Sequence, residues 1–291
     1  MKKIVIPCEK TESLAIDIAE KIDGRLASYE DRRFPDNEFY FRVETDLKGK
    51  EAVIVQTGYP DPNSSVVELL IIADACRHHG AEKITAVIPY VPYARQDKRF
   101  EKGEAFSLET IGNLMKNVGI DKVITVDTHF KREYGKYDFF GIKAVNISAG
   151  VPLVKFIKKK FDVKELHIIS PDLGASEMID NAAKKTKSKK AKLKKVRKGD
   201  YDVEMTGKLE VKGKNVLVLD DIISTGGTME KAVNRAKDAG AKKVFAAATH
   251  GLFVSDAMTR LKKASSYVVT TDSIENDTAE VTLTDEIVKV L

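Results

Sequence analysis

Cysteine is scarce in this chain, with two among 291 residues. Cys8 and Cys76 form no C-x-x-C pair and suggest no disulfide framework, so a reducing compartment, the cytoplasm, is expected. Long apolar runs are missing too. No stretch approaches the roughly eighteen residues that would cross a bilayer, so no membrane partner is expected. The N-terminus, MKKIVIPCEK, begins with basic residues, but its apolar run of about four residues is too short for a signal peptide. The common nucleotide loops are also absent: the chain contains neither G-x-x-x-x-G-K-[ST] nor G-x-G-x-x-G. A kinase built on those motifs is therefore excluded.

What is present is a globular composition, 43% hydrophobic and 32% charged, long enough for one large core or two ordinary ones. The formal charge of +5 is local in origin. Residues 184–198, KKTKSKKAKLKKVRK, carry ten cations and no carboxylate, and without them the chain would stand at −5. Such a distribution argues against a surface that coats nucleic acid, although the run alone reads as a linker or a nucleic-acid tail.

Apolar runs rich in Val and Ile recur at 3–7, 51–58, 83–90, 122–129, 165–170, 215–221, 243–251 and 266–272. Most are continuous rather than alternating, as in strands covered on both faces. Helix-length segments separate them, so the expected class is α/β with mostly parallel sheets and right-handed crossovers. AVIVQTG…LLIIADACRHHGAEKITAVIPY in the first half parallels NVLVLDD…KAVNRAKDAGAKKVFAAATHG in the second. Each runs strand, loop, helix, Gly-Ala, lysine-containing turn, strand. The pattern predicts two related domains, 1–146 and 147–291, although any two βαβ units share some of it.

The second repeat holds the most informative stretch, VLVLDDIISTGGT at 216–228. In open α/β sheets ligands sit beyond the carboxyl ends of strands. Asp220 and Asp221 lie at such an end, followed by Ser224, Thr225, Gly226, Gly227 and Thr228 at the start of a helix. Backbone amides and hydroxyls there suit an anion, and glycine lets a phosphate approach the main chain. The carboxylates would repel that phosphate but accept hydrogen bonds from vicinal sugar hydroxyls. The loop reads as a ribose-phosphate site; the alternative is an ordinary N-cap preceded by two solvated aspartates. Adjacent carboxylates after a buried strand are costly without a use.

This loop resembles that of the phosphoribosyltransferase superfamily, and four other stretches narrow the resemblance to the ribose-phosphate pyrophosphokinases. RRFPDNEFYFRV (32–43) is similar to the family's FPDGE segment. The resemblance implies that Phe34, Asp36 and Glu38 reach the adenine of ATP in a neighbouring subunit. Asn37 replaces the usual glycine and tolerates φ > 0; by itself the segment is an ordinary turn. PYVPYARQDKRF (89–100) matches PYxxYARQD, implying ATP contacts from Arg95, Gln96 and Asp97, the arginine to phosphate. VITVDTHF (123–130) brings the family's Asp-x-His, with His129 implied to help hold magnesium, whereas a lone His there is commonly just hydrogen-bonded. The following FKREYGKYDFF stands where the family usually has a Gln-rich stretch, so effector control is the feature put in question. IISPDLGAS (168–176) resembles the SPDxG pyrophosphate loop. It implies that Asp172 meets a second magnesium or the ribose hydroxyls and that Gly174 lets the backbone approach phosphates. The family's usual Gly-Gly gives way to Ala175 and Ser176. Finally, LKKVRKGDYDVEM (193–205) is similar to a flexible catalytic loop carrying Lys-x-Arg, here Lys195 and Arg197. Two cations on a mobile loop could close over a transferring phosphoryl group.

Together these resemblances imply two phosphoribosyltransferase-like domains: an N-terminal one with the ATP segments and a degenerate loop, and a C-terminal one with the sugar-phosphate, pyrophosphate and catalytic loops. They imply transfer of the diphosphoryl group of ATP to the C1 hydroxyl of ribose 5-phosphate, with Mg²⁺ as cofactor. The product is 5-phosphoribosyl 1-diphosphate (PRPP), released with AMP. A homo-oligomer, at least a dimer with shared ATP sites, is also implied. One rival is a phosphoribosyltransferase that consumes PRPP, which has no need of YARQD or FPDNE. The other is a non-catalytic regulatory homologue, which would be expected to have lost Lys195, Arg197 or His129.

Overall fold

All eight apolar runs form strands, and they distribute over two parallel sheets flanked by helices. In the computed structural model the described residues are 1–131, 133–171, 175–192, 194–197, 203–206 and 209–291, with side chains described outside 191–208. The chain divides into two compact units, Met1–Ile147 with Thr284–Leu291, and Ser148–Leu283.

The first unit runs β1 (Lys3–Pro7), α1 (Glu12–Lys21), β2 (Arg25–Leu26), β3 (Tyr29–Arg33), β4 (Phe39–Val43), β5 (Glu51–Val55), α2 (Pro62–His78), β6 (Lys83–Ile88), α3 (Ser107–Asn117), β7 (Lys122–Val126), β8 (Gly135–Phe139) and β9 (Ile142–Ile147). Its seven-stranded sheet has the order β2-β1-β5-β6-β7-β9-β8, parallel except for β8, while β3 and β4 form a separate antiparallel hairpin. Every residue of β5 is buried, the apolar Ala52–Val55 and the charged Glu51 alike. Cys8 and Cys76 lie free in this core, and burial pushes both thiols up, Cys76 to about 12.

The second unit runs α4 (Gly150–Lys160), β10 (Leu166–Ser170), α5 (Ser176–Thr186), β11 (Lys189–Lys192), β12 (Lys194–Arg197), β13 (Val203–Thr206), β14 (Asn215–Ile223), α6 (Gly227–Asp238), β15 (Lys243–Gly251), α7 (Ala257–Ala264), β16 (Tyr267–Thr271) and β17 (Ala279–Val281). The six-stranded parallel sheet has the order β11-β10-β14-β15-β16-β17, and β12 pairs antiparallel with β13. A last helix, α8 (Thr284–Val288), belongs to the first unit, where Lys21 pairs with Asp285 at 2.8 Å. The boundary drawn from sequence left these last residues with the second half. A five-residue helix carries too little pattern to reveal which core it joins.

The internal resemblance extends to register. Glu51 faces Lys83 in the first sheet and Asn215 faces Lys243 in the second. The helices before β6 and β15 end alike, with Gly80 at φ +94° and Gly240 at φ +81°. Ala81 N donates to Cys76 O (3.0 Å), and Ala241 N to Ala236 O (3.1 Å). A Cβ on Gly80 would come within 3.3 Å of Lys48, and one on Gly240 within 3.2 Å of Lys212, the residue three before the strand in each case. The hairpins correspond in chain order as well: β3–β4 follows the edge strand β2 and precedes β5, and β12–β13 follows the edge strand β11 and precedes β14.

Candidate active site

β14 delivers Asp220 and Asp221 to the carboxyl end of the second sheet, Asp220 buried and Asp221 half-buried. Each is pinned locally: Asp221 N donates to Asp220 Oδ1 (3.0 Å) and Ile222 N to Asp221 Oδ1 (2.8 Å). Ser224 and Thr225 then lead to Gly226, the N-cap of α6, which is left-handed at φ +74°. Glycine is needed there for two reasons. That φ disfavours any side chain, and a Cβ would stand 3.2 Å from Ala257 Cβ and 3.3 Å from Leu261 Cδ1. At Gly227 a Cβ would meet nothing within 4 Å. Gly226 supplies no side-chain cap, and the amides of Gly227, Thr228 and Met229 at the start of a twelve-residue helix have no intrahelical acceptor. With Thr225 exposed and Thr228 half-buried beside them, the arrangement offers donors to an anion and acceptors to a polyol.

The first unit ends the corresponding strand differently. By register Gln56 and Thr57 stand where Asp220 and Asp221 stand, and Thr57 N donates to Gln56 Oε1 (3.1 Å) in the same way. The helix that follows is closed by its own residue. Asp61 caps α2, accepting from Asn63 N and Ser64 N (both 3.1 Å) and Ser64 Oγ (2.6 Å). The side-chain bond from Ser64, then the amide bonds, hold the Asp61 carboxyl below its usual range. A carboxylate already occupies the place an anion would take.

The expected ATP residues all belong to the first unit. Phe34, Asp36 and Glu38 form the tip of the β3–β4 hairpin, exposed throughout. Asn37 adopts φ +73°, as its place in the motif predicts, and its amide donates to Phe34 O (2.8 Å). The Arg32 guanidinium lies 4.5 Å from the Phe34 ring centroid and 4.4 Å from that of Tyr40. Arg95, Gln96 and Asp97 follow β6, and His129 follows the adjacent β7, so these two segments emerge from neighbouring strand ends. Arg95 and His129 are exposed. The Gln96 amide closes the 98–105 loop, donating to Ala105 O at 3.2 Å and to Lys98 O and Glu104 Oε2 at 3.4 Å.

Two residues around His129 were not singled out by sequence. Asn146 on β9 accepts from Thr128 N (3.2 Å) and donates to Lys131 O (2.9 Å) and Glu133 O (3.1 Å), fastening both sides of the His129 loop. Tyr134 donates to the buried Asp127 carboxylate at 2.7 Å. Tyr134 lies inside the segment that departs from the family pattern, so no motif could have flagged it.

Asp172 and Gly174 lie outside the described residues. The backbones of Lys195 and Arg197 form part of β12, in register with Met205 and Val203, where sequence predicted a loop; their side chains lie outside those described. Among the described residues no group of three or more His, Cys, Asp or Glu side chains could hold a metal ion, and no helix is long and apolar enough to cross a membrane.

Known proteins share this organisation from end to end. Residues 3–119 match the N-terminal domain of ribose phosphate pyrophosphokinase, and residues 147–286 match the phosphoribosyl transferase domain. A ribose-phosphate pyrophosphokinase of Methanopyrus kandleri is 37% identical, the aligned region covering 94% of this chain and 93% of the relative. The enzyme of that name from Methanobrevibacter smithii is 36% identical over 99% of both chains. The crystal structure of phosphoribosylpyrophosphate synthetase from Mycobacterium smegmatis superposes with a TM-score of 0.84 at 28% identity, covering 99% of this chain and 97% of that one. The match over 3–119 does not favour a PRPP-consuming transferase. With both domain models matched and relatives above 30% identity along nearly its full length, the chain belongs to the ribose-phosphate pyrophosphokinase family.

Proposed function

We propose that this chain forms PRPP with the second-unit loop as the seat of ribose 5-phosphate and the first unit carrying ATP. The C1 hydroxyl oxygen of the sugar attacks the β-phosphorus of ATP. The bond from that phosphorus to the α,β-bridging oxygen breaks, AMP departs with the oxygen, and the hydroxyl proton is released. Thr225, Gly226, Gly227 and Thr228, with Ser224 leading in, hold the 5-phosphate through amides and hydroxyls, while Asp220 and Asp221 accept from the sugar hydroxyls. The observation that carries this reading is the uncapped, glycine-opened N-terminus of α6 directly after two pinned carboxylates.

Arg95, Gln96 and Asp97 are assigned to ATP, together with Phe34, Asp36 and Glu38 from a neighbouring subunit. That assignment makes the enzyme at least a dimer. Support comes from the exposed hairpin tip, where Phe34 is 38% exposed. If Phe34→Ala and Arg95→Ala proteins exchange subunits without regaining activity, the shared site is wrong. Asp172 and Gly174 are assigned to the pyrophosphate side. Lys195 and Arg197 are assigned to the charge that develops on the transferring group.

Magnesium fits this chain as a companion of the nucleotide. The described residues offer no three-ligand cage, and Mg²⁺ is commonly held by one or two protein groups plus substrate phosphates. His129 and Asp172 are the residues assigned to it, and when bound it offsets phosphate charge. Positioning and charge neutralisation carry most of the barrier reduction. The buried free thiols agree with a cytoplasmic protein. The test is AMP formation from ATP, followed by chromatography: AMP should appear in step with PRPP and only when ribose 5-phosphate is present. AMP released equally without the sugar would overturn the reading.

A further inference from the structure

Four consecutive carbonyls in the 223–226 loop are each held by groups of the second unit. Ile223 O accepts from Leu252 N (2.9 Å) and Phe253 N (3.2 Å), Ser224 O from Val254 N (3.0 Å), and Gly226 O from Glu230 N (2.8 Å). Those donors are main chain. The fourth carbonyl, Thr225 O, is held by a side chain, Arg260 Nη2 at 2.6 Å. Arg260 stands on α7 between Ala257 and Leu261, the two residues against which Gly226 packs. The same guanidinium bonds Asp256 Oδ1 at 2.9 Å and pairs with Glu230 Oε2.

Glu230 is the acidic residue in the first turn of α6. A carboxylate there favours the bare helix, because it complements the positive end of the dipole. It opposes a second anion at the same end, and like charges in a partly screened site weaken binding. A sugar phosphate therefore needs that charge answered and the Thr225 peptide held in place.

We infer that Arg260 is a positioning residue for the sugar phosphate, tethering the Thr225 carbonyl so that the loop keeps its shape and neutralising Glu230 so that the helix N-terminus stays open to an anion. This rests on the assignment of 224–228 as the phosphate loop. Arg260 does both tasks through separate nitrogens of one planar fork, which a lysine cannot reproduce.

Steady-state kinetics on four variants test it. Arg260→Gln should raise the KM for ribose 5-phosphate roughly tenfold or more, the scale of a lost charge-assisted hydrogen bond, with kcat and the KM for ATP within about twofold. Glu230→Gln alone should bind the sugar phosphate at least as well as the parent protein. The double variant should recover a large part of the loss, because the opposing charge is gone; a purely structural role for Arg260 would give no such rescue. Arg260→Lys should fall between, keeping the charge but losing the tether, and it carries the test in both Glu230 backgrounds if Arg260→Gln does not fold. A double variant no better than Arg260→Gln, or equal rises in both KM values, would overturn the inference. Thr228→Val separates this from failure of the underlying assignment. If it leaves the KM for ribose 5-phosphate unmoved, the phosphate-loop reading itself fails; if it raises that KM while the Arg260 variants do not, only the role of Arg260 is wrong.

Discussion

Asp61 and Gly226 occupy the same station in two related units and do opposite things to the helix that follows. Asp61 accepts three hydrogen bonds and fills the positive end of α2 with its own carboxylate. Gly226 leaves the end of α6 uncapped, with a backbone angle that excludes most side chains. The strands before them match in register, and so do the Gly-Ala turns that close the two helices. Two βαβ units of matching register thus differ at the cap of the helix that follows, and on the proposed reading only the second would hold an anion there. The preceding pair follows the same logic. Gln56 keeps the local bond that Asp220 makes to the next amide, but not the charge that would hold sugar hydroxyls.

The hairpins extend the comparison and give the largest expected effect. β3–β4 carries FPDNE between its strands, whereas Lys195 lies within β12 of the second hairpin. Lys195→Ala should lower kcat on the order of a hundredfold or more with little change in KM, since the charge it meets develops in the transition state. Lys187, the C-cap residue of α5, should tolerate alanine. Steady-state kinetics that give the two variants equal losses would put the catalytic cation elsewhere.

Next in size is the acidic pair. Asp220→Asn with Asp221→Asn should raise the KM for ribose 5-phosphate about tenfold or more and leave that for ATP nearly unchanged, the scale of hydrogen bonds to charged groups. Equal losses for both substrates in a folded protein would remove the sugar assignment. In the first unit the matching experiment affects stability alone. Asp61→Ala uncaps α2 and should lower the thermal midpoint by about 2–4 °C, with no effect on the KM for ribose 5-phosphate. A change in that KM would mean that the first loop still takes part in sugar binding.

The smallest effect separates the strands themselves. Glu51, buried at the start of β5, loses hydration, which raises its pKa, but bonds from Lys83 (2.7 Å) and Thr85 (2.6 Å) outweigh this and leave it lowered. Its counterpart Asn215 carries no charge. A carboxyl lowered by folding contributes stability above its unfolded pKa and loses it as pH falls through the folded value. Glu51→Gln should thus be less stable than the parent by about 1 kcal/mol at pH 7, and the gap should close below about pH 4.5, the ordinary glutamate value. Denaturant titrations over a pH series from 7 downward measure it; a gap that stays constant across the series would assign the effect to packing.

Much of this was legible in the sequence because it is local. The Val/Ile runs fix the strands by burial, the Asp-Asp and Gly-Gly pairs mark a strand end and a helix start, and Asn37 sits at the positive φ that its motif demands. The Asp61 cap was also within reach, since Asp before Pro opens a helix. Tertiary partners were not. Arg260 lies 30 residues from Glu230 and joins it only because α7 packs behind Gly226. Asn146 meets the His129 loop across β7 and β9, and α8 joins the first unit through contacts that no periodicity encodes.

Isothermal titration with ribose 5-phosphate tests the contrast between the two loops most directly. The parent protein should bind one equivalent per chain, Asp61→Ala should still bind one, and Gly227→Asp, which puts a carboxylate at the start of the second helix where a Cβ meets nothing within 4 Å, should bind none while remaining folded. Two equivalents per chain in the parent protein, or undiminished binding in Gly227→Asp, would contradict the account.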